Sequence, residues 1–137
     1  MPKLEERKTI TCFLESSEEI LILRRSRQVV TYQARWAGIS GSIDTTADEQ
    51  ALTEIGEETG LCQEDIELVK KGEPLSIKDQ KLGVTWLVHP YLFHIKDRSK
   101  VKIDWEHEEF KWIKPEDIDR FETVPKLKET LARVYPA

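Results

Sequence analysis

Hydrophobic and polar positions alternate along the chain at spacings that change from two to about three and a half. Residues 9–14 and 20–23 are short runs of β-branched and aliphatic side chains around the polar segment 15–19, a pattern that predicts two strands joined by a hairpin loop. Segments 29–32 and 36–44 follow the arginine-rich stretch Arg24-Arg25-Ser26-Arg27; Gly38 and Gly41 there mark tight turns or a close backbone approach. The best-marked element is a helix over 47–59. Thr46 and Glu49 form a T-x-x-E capping box at its start, and Gly60 followed by Leu61 suits a left-handed C-terminal stop. Further strands are predicted at 66–69, 75–77, 84–95 and 110–113, a proline-led helical turn at 115–119, and a last amphipathic helix over 125–134 with Leu127, Leu131 and Val134 on one face. Strands interleaved with helices make a mixed α/β domain. No repeat, linker or low-complexity tract divides the 137 residues, so residues 1–137 are expected to be one domain.

Composition narrows the function classes. With 39% hydrophobic and 34% charged residues, a core inside a heavily charged shell is expected, and disorder is a poor fit. A net charge of −5 argues against a protein that grips duplex nucleic acid with a diffuse basic surface. It leaves a nucleotide ligand open, because a small phosphate site needs only local cations. Cys12 and Cys62 lack metal-ligand spacing and are expected as reduced, partly buried thiols. The charged N-terminal residues lack a signal peptide's apolar stretch, and the apolar run 84–95 is broken by Thr85, His89, Pro90 and His94. No membrane partner is expected, and the expected location is cytoplasmic.

The candidate chemistry lies on the predicted helix. Glu54, Glu57 and Glu58 fall within an arc of about 100° on one side of it. Ala47 and Ala51 share that side and leave room, while Leu52 and Ile55 point to a neighbouring face that can pack on a sheet. Glu57 and Glu58 also occupy the last turn, where acidic groups are disfavoured by about 0.3–1 kcal/mol each, and the helix holds no Lys or Arg to relieve them. A solvated acidic face is one explanation. The other is a hard divalent cation, Mg²⁺ or Mn²⁺, which clustered carboxylate oxygens suit and which takes substrate phosphates as further ligands.

Context favours the second. The segment Ala51-Leu52-Thr53-Glu54-Ile55-Gly56-Glu57-Glu58-Thr59-Gly60-Leu61 resembles the Nudix box, G-x5-E-x7-R-E-U-x-E-E-x-G-U with U aliphatic. Glu54, Ile55, Glu57, Glu58, Gly60 and Leu61 match its last eight positions wherever these are defined. Arg24 to Tyr32, Trp36-Ala37-Gly38 and Ser40-Gly41 look like the strand and loop that lead into the box, and Glu106 to Trp112 like the family's later acidic segment. The resemblance implies a Nudix-type α/β/α sandwich with a mixed β-sheet between helices. It also implies a Mg²⁺- or Mn²⁺-dependent hydrolase of a nucleoside diphosphate linked to another group, X.

The resemblance implies metal ligands at Glu58, Glu54 and Glu57, completed by the Ser40 carbonyl. Glu106 is the first candidate for the general base and Glu109 the second. Arg24, Arg25, Arg27 and Arg35 are candidate phosphate contacts, with Arg35, beside the glycine loop, ahead of Arg25. Trp36, Trp86, Tyr91 and Phe93 are aromatic candidates for stacking on a base, against the ordinary alternative of core packing. His107, next to the acidic segment, is a candidate contact to phosphate or water. Three features depart from the pattern: Thr53 replaces the box arginine, the loop from Gly41 to the helix is two residues short, and the upstream glutamate has no clear counterpart. These departures leave a catalytically weak or inactive binding module as the alternative. Which nucleotide is used stays open, as does a homodimer.

Overall fold

In the computed structural model, which describes residues 4–137, two long strands run side by side and set the frame. β1 (Glu5–Ser16) lies parallel to β7 (Val84–Ile95), in register from Glu5 opposite Val84 to Glu15 opposite His94. Over residues 10–14 and 90–93 the pair is buried on both faces, and there its character is mostly apolar. Ile10, Cys12 and Leu14 of β1 and Tyr91, Phe93 and Ile95 of β7 point to one side. There they meet Ala51 and Ile55 of helix α1 (Ala47–Thr59). Phe13 and Leu92 point to the other side, against Leu127 and Leu131 of α2 (Leu127–Ala132) and Val134. The result is the expected mixed sheet between helices.

The other strands extend this pair. β2 (Glu19–Arg25) folds back on the end of β1 and carries β3 (Trp36–Ala37) and β8 (His107–Ile113), both antiparallel to it. β4 (Ile39–Ser42) pairs with residues 9–12 of β1. β5 (Ile66–Lys71) and β6 (Leu75–Asp79) share β7 between them.

Several elements differ from expectation, each for a local reason. β1 begins at Glu5, four residues early, because the exposed polar stretch 5–8 is held by backbone pairing to β7 and carries no hydrophobic signal. The predicted loop 15–19 shrinks to a two-residue turn, with Ser17 and Glu18 at φ 52° and 63°. α2 occupies only the middle of 125–134, after Lys126 turns left-handed at φ 62°. The capping box is half made. Thr46 accepts from the Glu49 amide at 3.1 Å, whereas the Glu49 carboxylate accepts from the Thr45 hydroxyl at 2.7 Å. Leu52 is exposed instead of packing on the sheet, and Cys62 is exposed while Cys12 is buried. Among the described residues no helix is long and apolar enough to cross a membrane.

Candidate active site

Helix α1 ends as its sequence requires. Gly60 adopts φ 72° and its amide donates to Gly56 O at 3.0 Å, so the last turn, with Glu57 and Glu58, is fixed in place. No basic residue occupies that turn. Glu58 is only 2% exposed and Glu54 is half-buried, whereas Glu57 is exposed. Gly41 faces α1 from β4, opposite Ile10, and a Cβ there would fall on the Glu54 carboxylate. The absent side chain at Gly41 is therefore what admits Glu54.

These acids are crowded and short of partners. Glu54 Oε2 and Glu58 Oε2 are buried with no hydrogen-bond partner. Burial pushes the Glu54 carboxyl up to about 7, helped by the charge of Glu57, a hydrogen bond shared with it, and the charge of Glu106. Burial likewise raises Glu58 well above the usual carboxylate range, with Glu106, Glu54 and Asp104 adding to the effect and a backbone hydrogen bond from Ser40 opposing it. Cys12, buried below, is raised by burial and by the same two glutamates. Desolvated acids without a counter-charge are unfavourable alone, and a cation removes the penalty. Among the described residues no three His, Cys, Asp or Glu side chains form a ready-made cage. The fit is to an ion that takes one or two carboxylates and keeps water and phosphate oxygens, the habit of Mg²⁺.

Strand β8 supplies the opposite wall. Its pairing with β2 slips by one residue, since Arg24 lies opposite Glu109 but Arg25 lies opposite His107. The extra residue, Glu108, forms a bulge. Glu108 and Glu109 therefore both reach Arg24, at 3.1 and 3.2 Å, while Arg25 and His107 turn inward. Arg25 is partly buried, its guanidinium donating to Thr31 O at 2.9 Å and Thr31 Oγ1 at 3.3 Å. Burial lowers its pKa, and the nearby Glu58 and Glu106 favour its charge. Glu106 is half-buried, and burial and Asp104 raise its pKa while Arg25 restrains the rise.

A cavity of about 290 Å³ opens beside these groups, lined among others by Arg25, Ser40, Gly41, Glu54, Glu106 and Trp86. At its rim the Tyr32 hydroxyl donates to Asp79 at 2.6 Å and accepts from Trp86 Nε1 at 3.0 Å, tying loop 26–35 to β6 and β7. The predicted residues Glu54, Glu106, Arg25 and Ser40 thus share one pocket, and Glu58 lies beside it. Arg35 does not join them. It is exposed, between buried Trp36 and the left-handed Ala34, and points to Thr123 O at 3.4 Å. Glu109 is engaged by Arg24. Trp36, Tyr91 and Phe93 are core residues, which leaves Trp86 as the aromatic candidate that lines the pocket. His107 is buried, with no exposed face for phosphate. Its Nδ1 lies 3.2 Å from Asp104 Oδ1 and its Nε2 3.4 Å from Glu58 Oε1. Sequence reasoning missed Tyr32 and Asp104, although Tyr32 closes the segment 24–32 that resembles the lead-in to the box.

Comparison with known proteins places the fold in a family. The sequence model of the NUDIX domain matches residues 5–136, and the chain belongs to the Nudix family. Among similar solved structures is the MutT Nudix hydrolase of Burkholderia pseudomallei, with 19% identity, 95% of this chain and 98% of that one covered, and a TM-score of 0.75. A C. elegans Ap4A hydrolase shares 18% identity over 95% and 94% of the two chains, with a TM-score of 0.74. The E. coli dihydroneopterin triphosphate pyrophosphohydrolase shares 16% identity over 96% and 97%, with a TM-score of 0.73. No curated protein matches in sequence.

Proposed function

We propose that the protein hydrolyses a phosphoanhydride bond of a nucleoside diphosphate linked to a further group, with Mg²⁺ or Mn²⁺ as cofactor. One observation carries this reading: Glu54 and Glu58 each bury a carboxylate oxygen without a partner, beside a pocket that also holds an arginine. Glu58 and Glu54 would hold the cation, with Glu57 at the exposed edge and Ser40 on the facing strand. When bound, the cation neutralises phosphate oxygens and acidifies a water. Arg25, fixed by Thr31, offers its remaining N–H groups to the phosphates. It also supplies the positive charge that Thr53, exposed in place of the box arginine, does not. Glu106, raised in pKa and lining the same pocket, accepts the proton of the attacking water as its oxygen bonds to phosphorus. The bridging P–O bond breaks and the leaving phosphate takes up the charge. Tyr32 and Trp86 flank the place where a base can lie. Two structural neighbours, named as an Ap4A hydrolase and a pyrophosphohydrolase, support the class of bond without identifying this chain's substrate.

The test is turnover of a nucleotide panel in ¹⁸O-water with Mg²⁺ or Mn²⁺, with products weighed by mass spectrometry. Metal-dependent release of one ¹⁸O-labelled phosphate product is expected. No product from any member with either metal would overturn the reading in favour of a binding module, the alternative that Thr53 suggests.

A further inference from the structure

His107 is the best-buried histidine of the chain, its side chain 1% exposed, and the catalytic reading does not use it. Its ring is held from one end. Nδ1 lies 3.2 Å from Asp104 Oδ1, and the His107 amide donates to Asp104 O at 3.2 Å. The Glu106 amide donates to Asp104 Oδ1 at 3.2 Å, so a single carboxylate sets both the ring and the backbone of the neighbouring acid. A carboxylate on Nδ1 keeps the proton there and turns Nε2 toward whatever lies beyond. What lies beyond is Glu58 Oε1, at 3.4 Å and not hydrogen-bonded to it, so that Nε2 is itself a buried atom without a partner.

The two oxygens of Glu58 are therefore unequal. Oε1 faces the imidazole, whereas Oε2 has no protein neighbour to bond. We infer that His107, tethered by Asp104, is a positioning residue that occupies one side of the Glu58 carboxylate so that Oε2 is the oxygen presented to a divalent cation. The inference rests on the metal reading above and adds to it a specific outer contact. Such partners of metal-bound groups fix ligand orientation, and removing one weakens metal affinity by about 10–100-fold.

Mn²⁺ binding to the substrate-free protein, followed by electron paramagnetic resonance, tests this without reference to turnover. His107→Leu fills the same space without a polar edge and should weaken Mn²⁺ binding about tenfold or more. His107→Gln keeps a polar end toward Glu58 and should stay within about threefold of the parent. Asp104→Ala, at a partly exposed site, frees the ring and should fall between the two. Parental Mn²⁺ affinity in a folded His107→Leu protein would overturn the inference, as would equal weakening by Leu and Gln, which would assign the effect to packing. If His107→Leu does not fold, unchanged affinity in Asp104→Ala overturns it instead. A folded parent that takes up no Mn²⁺ would sink the metal reading and this inference together, a result distinct from either of the others.

Discussion

Glutamates occupy two neighbouring regions of this molecule under opposite conditions. On the bulged edge of β8, Glu108 and Glu109 are each within 3.2 Å of the Arg24 guanidinium, at the surface. On the inner face of α1, Glu54 and Glu58 are drawn out of water, and each keeps an oxygen that bonds to nothing. Arginines follow the same division. Arg24 is used up by surface acids, while the adjacent Arg25 is held by backbone and hydroxyl oxygens and keeps its charge free for a ligand. Exposed ion pairs contribute little, commonly under about 1 kcal/mol, whereas buried acids without partners are maintained only where a ligand completes them. Function resides where the protein's own bonding is incomplete.

The largest effect that would break this contrast comes from the acids. Glu58→Gln should lower turnover by about a hundredfold or more, because a metal contact supplies several kcal/mol and each 1.36 kcal/mol is tenfold. Glu109→Gln should change turnover by less than about threefold. Equal losses from the two would erase the distinction. The arginines should separate less widely. Arg25→Gln removes charge-assisted hydrogen bonds worth about 1.5–3 kcal/mol, so kcat/KM should fall about 10–100-fold. Arg24→Gln should leave steady-state kinetics almost unaltered.

The smallest effect is on stability. The folded state holds a proton on Glu54 up to about pH 7, while an ordinary carboxyl releases it near 4.5. Stability is therefore present below 4.5 and is lost as pH rises through that window. Glu58 and Glu106, also raised, add in the same direction. His107, lowered from 6.5 by burial, opposes the trend below that pH. In EDTA the melting temperature should drop by a few degrees between about pH 6.5 and about pH 8. Saturating Mg²⁺ should reverse the drop, and Glu54→Gln should flatten it. A metal-free melting curve that rises over this range would contradict the burial of these acids.

The helix and its acids were legible in the sequence because everything that defines them is local. Thr46 caps, Gly60 stops, and 100° per residue assigns Glu54 and Glu58 to one side. Gly41 was legible as a close approach, although only the fold identifies Glu54 as what approaches. Arg35 is near Gly38 along the chain but not near the pocket in the fold. Its burial-alternating neighbour Trp36 and the left-handed turn at Ala34 send it outward. The role of Tyr32 left no trace, since it depends on Asp79 and Trp86 more than forty residues away. His107 could not be assigned either. Counting by twos from Ile113 places it beside Glu109 and Lys111, on the side of the sheet away from α1, and only the bulge reverses that.

The additional residue in β8 acts as a phase shifter, and this makes chain length the sensitive variable there. His107, on one side of Glu108, looks toward Glu58, whereas beyond Glu108 it is the even-numbered Trp112 that packs on the α1 side. Point changes on this stretch alter one group at a time. Inserting a single residue between His107 and Glu109 would instead change the phase at which β8 begins and turn His107 from interior to exterior.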